Sequence, residues 1–360
     1  MYTSLKRQFN NVFRIKSIDL FPLFRKFFFF NLDYRLLGKG RSSYPINLTF
    51  EITYRCNLKC DFCFLKTSVL NKTEQKEEIT IEHIRNVLKE VHKFKPGVYI
   101  SGGEPLVRHD IIEIIKLVKS FGLRCGINTN GTLLNKEIIK NIIDSELDYI
   151  IISVDRYRRN TENIIQLTKE RGERKKPRVF INYVLFKDNL DGLGSLIDHG
   201  KKTKVDGIFL EHLYYTTKKD LKANKVFCDK YYPNLEKGSY LETPTLKEEE
   251  KKKLIDRLRK IKAEAKKKNI FLMVKPDLSE ENLKRWYSDA FSYLSECFYL
   301  WNVARINPKG DVCPCYMYRM SMGNIKNEKF LTIWNNEKFR RFRKLLRKGL
   351  FPGCNRCCKL

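Results

Sequence analysis

Residues 47–63 read NLTFEITYRCNLKCDFC. Leu48, Phe50, Ile52 and Tyr54 alternate with polar neighbours, the period-two pattern of a strand. Cys56, Cys60 and Cys63 follow at once, spaced C-x3-C-x2-C. Three thiolates can hold three irons of a [4Fe-4S] cube and leave the fourth open to an outside ligand, whereas ferredoxin-type sites use four and leave none. A zinc site would want a fourth Cys or His nearby. His83 and His92 are distant and fall on an expected helix. Phe62, between the second and third cysteines, is placed to shield a cluster.

Beyond this loop, helical and extended patterns alternate. Strands are expected at 47–54, 97–100, 124–128, 149–154, 178–186 and 206–211. Helices are expected at 80–93, 110–121, 136–145, 160–170 and 190–201. Six such βα units imply an α/β fold with a parallel sheet, a partial (β/α)6 barrel instead of a closed eight-fold one. Residues 213–245 show no clean period. The stretch 247–268 reads as an amphipathic helix with the stripe Leu254, Leu258, Ile261 and Ala265, its lysines forming a solvated face. The chain divides into a basic aromatic extension (1–43), a core (44–215), a linker with the amphipathic helix (216–290) and a small C-terminal module (291–360).

Three short elements fall at the ends of expected strands. Ser101-Gly102-Gly103-Glu104-Pro105 follows the second, Asn128-Thr129-Asn130-Gly131 the third, and Ser153-Val154-Asp155 ends the fourth. In parallel α/β barrels that rim carries the chemistry. With the cysteine loop, these elements resemble the radical S-adenosylmethionine (SAM) superfamily, over about 47–212. The resemblance implies one [4Fe-4S] cluster on Cys56, Cys60 and Cys63. It also implies SAM contacts from Gly102, Gly103, Glu104, Pro105, Asn128, Asn130, Ser153 and Asp155, with Glu104 accepting from the SAM ammonium. One departure stands out: Arg156 follows Asp155, where the family often has glycine.

The C-terminal module carries Cys297, Cys313, Cys315, Cys354, Cys357 and Cys358, with Asn307-Pro308-Lys309-Gly310, Gly323-Asn324-Ile325 and Ile333-Trp334-Asn335 between them. This is similar to the SPASM or Twitch extension of radical SAM enzymes. It implies an auxiliary [4Fe-4S] cluster on Cys297, Cys315, Cys354 and Cys357, with Cys313 and Cys358 as rivals for Cys315 and Cys357. Zinc is the competing occupant. Cys125 and Cys228 are isolated and read as core thiols.

Composition narrows the setting. The chain has 360 residues, 71 Lys and Arg against 42 Asp and Glu, a net charge of +29, and 42% hydrophobic residues. That hydrophobic share suffices for a sizeable core, and the charge points either to an anionic partner or to a lysine-rich solvated surface. Eleven cysteines in tight clusters argue against a disulfide framework and for a reducing cytoplasm. The apolar run Phe27 to Phe30 is four residues long, far short of the roughly 20 of a membrane span. Phe21, Phe24, Phe27 and Phe28, with Arg14, Lys16, Arg25 and Lys26 available, suggest either a helix capping the barrel or peripheral attachment to an anionic membrane surface.

The function implied by the resemblance is reductive SAM cleavage to a 5′-deoxyadenosyl radical. The radical would abstract hydrogen from a small-molecule, sugar or lipid-linked substrate, and the auxiliary cluster would aid oxidation or substrate binding. An external donor such as flavodoxin or ferredoxin would supply the electron. Glu211, His212, Tyr214 and Tyr215 are candidate substrate contacts. Two alternatives stay open: a peptide- or protein-modifying maturase, and a non-enzymatic zinc or cluster-bearing nucleic-acid binder. The latter leaves the Gly-Gly-Glu-Pro and Asn-Thr-Asn-Gly elements unexplained.

Overall fold

The protein is described by a computed structural model covering residues 33–34, 39–65, 75–155, 160–232, 246–288 and 295–357. Six strands stand close to their expected places: β1 (Asn47–Glu51), β2 (Gly97–Ser101), β3 (Cys125–Thr129), β4 (Tyr149–Val154), β5 (Arg178–Leu185) and β6 (Gly207–His212). The helices between them are α1 (Ile81–Val91), α2 (Ile111–Ser120), α3 (Lys136–Asp144), α4 (Thr161–Arg171) and α5 (Leu196–Lys202). Local chemistry sets their ends: Thr80 and His83 form a reciprocal cap at the start of α1, and Asn135 caps α3 through the amide of Ile138.

The strands continue past these six. The sheet has nine strands in the order β7-β6-β5-β4-β3-β2-β1-β8-β9. The pattern-poor segment yields α6 (Lys218–Tyr231), the amphipathic helix stands where expected as α7 (Glu248–Lys267), and β7 (Leu272–Lys275) and α8 (Glu280–Trp286) follow. β7 pairs parallel to β6, Glu211 opposite Lys275, so α7 is one more crossover helix. At the other edge α9 (Tyr299–Asn302) leads into β8 (Val303–Ile306), which pairs parallel to β1 and antiparallel to β9 (Val312–Cys313). The C-terminal module is thus hydrogen-bonded into the same sheet as the first cysteine loop. It ends in α10 (Phe330–Trp334) and α11 (Glu337–Lys348).

Strand alternation divides the residues between two environments. On β4, Ile150, Ile152 and Val154 are buried beneath the helices, while Ile151 and Ser153 line the inner cavity. Ile114, Ile115 and Val118 of α2 are fully buried against the sheet, each worth about 1.5–3 kcal/mol. Cys125 is buried, and Cys228 is half-buried at the edge of the core.

The aromatic segment with Phe21, Phe24, Phe27 and Phe28 lies outside the described residues. The stretch just after it packs on the C-terminal module. The Ser42 hydroxyl donates to the carbonyl of Trp301 at 2.8 Å, and Asn335 bonds the Ser42 backbone in both directions. Among the described residues no helix is long and apolar enough to cross a membrane.

Candidate active site

The first cysteine loop leaves the end of β1 and is held by backbone. The amides of Gly103 and Glu104 donate to the carbonyls of Thr53 and Arg55, at 2.7 and 2.9 Å. Gly102 has φ +146°, and a Cβ there would lie 2.3 Å from the carbonyl oxygen of Thr53. Only glycine permits this approach. The two glycines therefore make room for the chain leading into Cys56, and both also line the cavity. Beneath them Glu78 accepts from Thr53 and Arg55, and Arg108 donates to the carbonyls of Ile52 and Ile79 at 2.9 Å each. Within the loop the Leu58 amide donates to Cys56 Sγ at 3.4 Å. Burial raises the Cys56 thiol, and the neighbouring charges of Glu104, Cys63 and Cys60 push it further. Phe62 lines the cavity and packs on Phe186.

The polar rim residues divide into two groups. Asn128, Asn130 and Ser153 line the cavity beside the three cysteines. Glu104 is fully buried, and its carboxylate accepts from the amides of Leu106 (3.0 Å) and Asn130 (2.6 Å) and the Thr129 hydroxyl (2.6 Å). It ties the end of β2 to that of β3 through the protein's own donors. Pro105 is buried at the start of a short turn. Neither Pro105 nor Asp155 lines the cavity. Asn182, inward on β5 opposite Ser153, does line it, and its Oδ1 is buried without a donor. Sequence reasoning passed it over, although its alternation with Val184 on β5 marks it as inward.

The candidate substrate contacts differ in what engages them. Glu211 faces inward with Lys275, their charged atoms 3.9 Å apart. His212 also borders the cavity, but its ring is engaged by the protein: it is buried beside Trp286, and its Nδ1 bonds the Tyr287 hydroxyl at 2.8 Å. Burial pushes its pKa down to about 3, so it is neutral. Tyr214 lines the cavity and donates to the Gly353 carbonyl. Tyr215 is buried and donates to Trp286.

Four C-terminal cysteines, Cys297, Cys315, Cys354 and Cys357, line the same cavity. Burial pushes the Cys297 thiol up to about 12, and Cys354 is raised by burial and then by the charges of Cys297, Cys315 and Cys357. Cys313 sits apart: it is buried in β9, and its thiol points to the carbonyls of Asp311 and Arg319. Cys358 lies outside the described residues. The turn bearing Cys354 and Cys357 is pinned to α6. Asn224 and the Tyr318 hydroxyl accept from the Gly353 amide, and Asp220 holds the fully buried Arg356 at 2.7 Å. The segment expected to be a linker therefore anchors the second cysteine set. Its sequence signal was the Thr217-x-x-Asp220 capping box.

Between the two sets lies a buried ion network. Glu51, at the end of β1, pairs with Arg305 of β8 and with Arg319, and accepts from Tyr54 at 3.1 Å. Desolvation opposes ionisation of Glu51, but the two guanidiniums outweigh it and lower its pKa. Arg305 stacks on Tyr316, next to Cys315, at 3.2 Å.

A cavity of about 520 Å³ joins both sets. Its wall is mostly apolar and aromatic, with Phe62, Phe64, Tyr99, Phe209, Tyr299 and Phe342 among the lining residues. The donor chemistry fits two clusters. The first set supplies three thiols in one loop, and the second four thiols, of which Cys297 and Cys354 are buried and need a strongly cationic centre to ionise. Among the described residues no three such side chains converge on a single ion; a cube of iron and sulfide is wider and holds its thiolates further apart.

Comparison with known proteins agrees with this architecture. The profile of the Radical SAM superfamily matches residues 50–210, and that of the SPASM iron-sulfur cluster-binding domain matches 297–358. The tungsten-containing aldehyde ferredoxin oxidoreductase cofactor-modifying protein of Pyrococcus furiosus is 25% identical over 346 residues, covering 86% of each chain. The AdoMet-dependent heme synthase of Methanosarcina barkeri is 25% identical over 335 residues, covering 83% of this chain and 85% of its own. Among solved structures, Streptococcus suis SuiB bound to S-adenosylmethionine superposes with a TM-score of 0.63 at 15% identity, covering 86% of this chain and 70% of that one. SuiB has also been crystallised with a precursor peptide. [4Fe-4S] clusters and SAM are the cofactors of these two domains. The chain thus belongs to the radical SAM superfamily and is an enzyme with a C-terminal SPASM iron-sulfur domain.

Proposed function

We propose that this enzyme oxidises a small molecule with an apolar or aromatic body, held in the cavity between its two cysteine sets. The observation that carries the reading is the continuity of that cavity: Cys56, Cys60 and Cys63 line one part, and Cys297, Cys315, Cys354 and Cys357 another. When bound, the first cluster and SAM supply a one-electron cleavage that yields a hydrogen-abstracting deoxyadenosyl radical. The chain's own residues do the rest. Cys56, Cys60 and Cys63 would hold the first cluster, and the second four would hold the auxiliary one. Gly102 and Gly103 would keep the loop in place on the side where SAM would bind, and Asn128, Asn130 and Ser153, which line the cavity there, would contact it. The orphaned Oδ1 of Asn182 beside Ser153 suits a ribose hydroxyl, which would donate to it. The aromatic wall excludes water, which protects a radical from side reactions. Glu211 and Lys275 offer one charge of each sign to a substrate headgroup.

The relatives matched over most of their length carry names that speak of a cofactor and of heme, which supports a small-molecule substrate. The peptide reading draws on the likeness to SuiB, which extends to the fold alone, and on the PqqA peptide cyclase of Bradyrhizobium diazoefficiens, 27% identical over 50% of this chain and 51% of its own. The test is formation of 5′-deoxyadenosine by reconstituted enzyme given size-fractionated cell extract. The small-molecule fraction should stimulate turnover above the uncoupled rate. Stimulation confined to the peptide fraction would overturn the reading.

A further inference from the structure

Two strongly basic helices differ in charge balance. On α7, nine Lys and Arg stand against five acidic residues, and four of the nine cations, Lys251, Arg257, Arg259 and Lys262, each sit in an ion pair, with Glu248, Asp191, Glu280 and Asp277. On α11, seven of twelve residues are Lys or Arg and one is acidic. Its inner face is spent on the core: Phe339, Phe342, Arg343 and Leu346 are buried. Arg343 donates to the carbonyls of Leu300 and Trp334. Arg341, Lys344 and Lys348, at i, i+3 and i+7, project from the opposite side and are exposed. None of the three has an ion pair among the described residues. Helix-dipole compensation accounts for Lys348 in the last turn but not for Arg341 and Lys344. Like charges at these spacings disfavour the helix, and an anionic partner would relieve them.

The position of α11 gives the charge a use. Phe342 and Leu346 line the cavity beside Cys354 and Cys357, so this one helix separates the cationic surface from the auxiliary-cluster site. We propose that the outward face of α11, Arg341, Lys344 and Lys348, docks an acidic one-electron carrier protein. This rests on the assignment of the auxiliary cluster to the cysteines behind the helix. The reduced carrier gives up one electron and is oxidised, the oxidised cluster takes it and is reduced, and no bond forms or breaks. Charge complementarity acts mainly on the encounter rate and falls with salt.

The experiment mixes oxidised, reconstituted full-length enzyme with reduced flavodoxin and follows cluster bleaching by stopped flow. At low ionic strength the triple variant Arg341→Glu, Lys344→Glu, Lys348→Glu should be reduced at least about tenfold more slowly than wild type. The milder triple Gln variant should lose the salt dependence. Dithionite, which needs no docking face, should bleach all three equally. If dithionite bleaches every protein and flavodoxin reduces the charge-reversed variant as fast as wild type, the proposal is wrong. Equal flavodoxin rates with loss of binding to phosphatidylglycerol vesicles would reassign the face to a membrane surface and overturn it too. Should charge reversal impair folding, seen as lost iron, the Gln variant's salt response decides. If dithionite bleaches none of them, the cluster assignment itself falls, and the docking with it.

Discussion

Cys56, Cys60 and Cys63 come from one loop of a single strand end, whereas Cys297, Cys315, Cys354 and Cys357 are gathered from three distant stretches. The first loop is braced by main-chain bonds from Gly103 and Glu104, and its thiols are only half-buried. Cys297 and Cys354 are buried, and the turn bearing Cys354 and Cys357 is pinned by side chains such as Asp220 and Asn224 from α6. The contrast shows two ways of building a cluster site. One writes the ligands into adjacent residues and needs only a strand end to hold them. The other depends on a closed tertiary structure and on buried ion pairs that are costly to break.

The largest expected effect tests independence of the two sites. Replacing Cys56, Cys60 and Cys63 together with alanine should abolish SAM cleavage and remove about half of roughly eight irons. Iron analysis and deoxyadenosine formation check this. Stoichiometric zinc in place of iron would sink the assignment. Next comes the choice of ligand: Cys315→Ala should lose the auxiliary cluster signal in electron paramagnetic resonance, while Cys313→Ala should keep it, because the Cys313 thiol is turned to the Asp311 and Arg319 carbonyls. The reverse result would move the ligand to Cys313.

Asp220→Ala probes the tertiary pin. It strands the buried guanidinium of Arg356, at a cost of about 3–5 kcal/mol. Denaturant unfolding should show that loss, and iron analysis should show depletion of the auxiliary cluster with the first retained. Equal loss of both clusters would mean that the pin serves the whole fold. The smallest effect at neutral pH belongs to His212→Gln. The folded pKa of His212 is depressed to about 3, below the ordinary histidine value of about 6.5. The unfolded chain therefore takes up a proton first, and stability is lost as pH falls from about 6.5 toward 3. The variant should flatten that limb of an acid unfolding curve. An unchanged limb would place the titration elsewhere.

The sequence alone determined a good deal. The six core strands, the helices between them, the three-cysteine loop and the rim elements at the strand ends all rest on short-range signals: period two, period 3.6, caps and tight spacing. Such signals act between neighbours in the chain, so one sequence exposes them. The tertiary structure decided the rest. β7 and β8 join the sheet beside strands far from them in the chain, and no local pattern tells a four-residue segment which strand it will pair with. Packing paired Glu211 with Lys275 and tied the His212 ring to Tyr287 and Trp286. Glu104 became a buried brace when Thr129 and Asn130, at the end of β3, packed their donors against it. Asp220 and Asn224 became anchors of the second cysteine set only when α6 packed on the turn at Gly353. Long-range pairing and burial choose the partner of each polar group, and that choice is not written in the spacing of nearby residues.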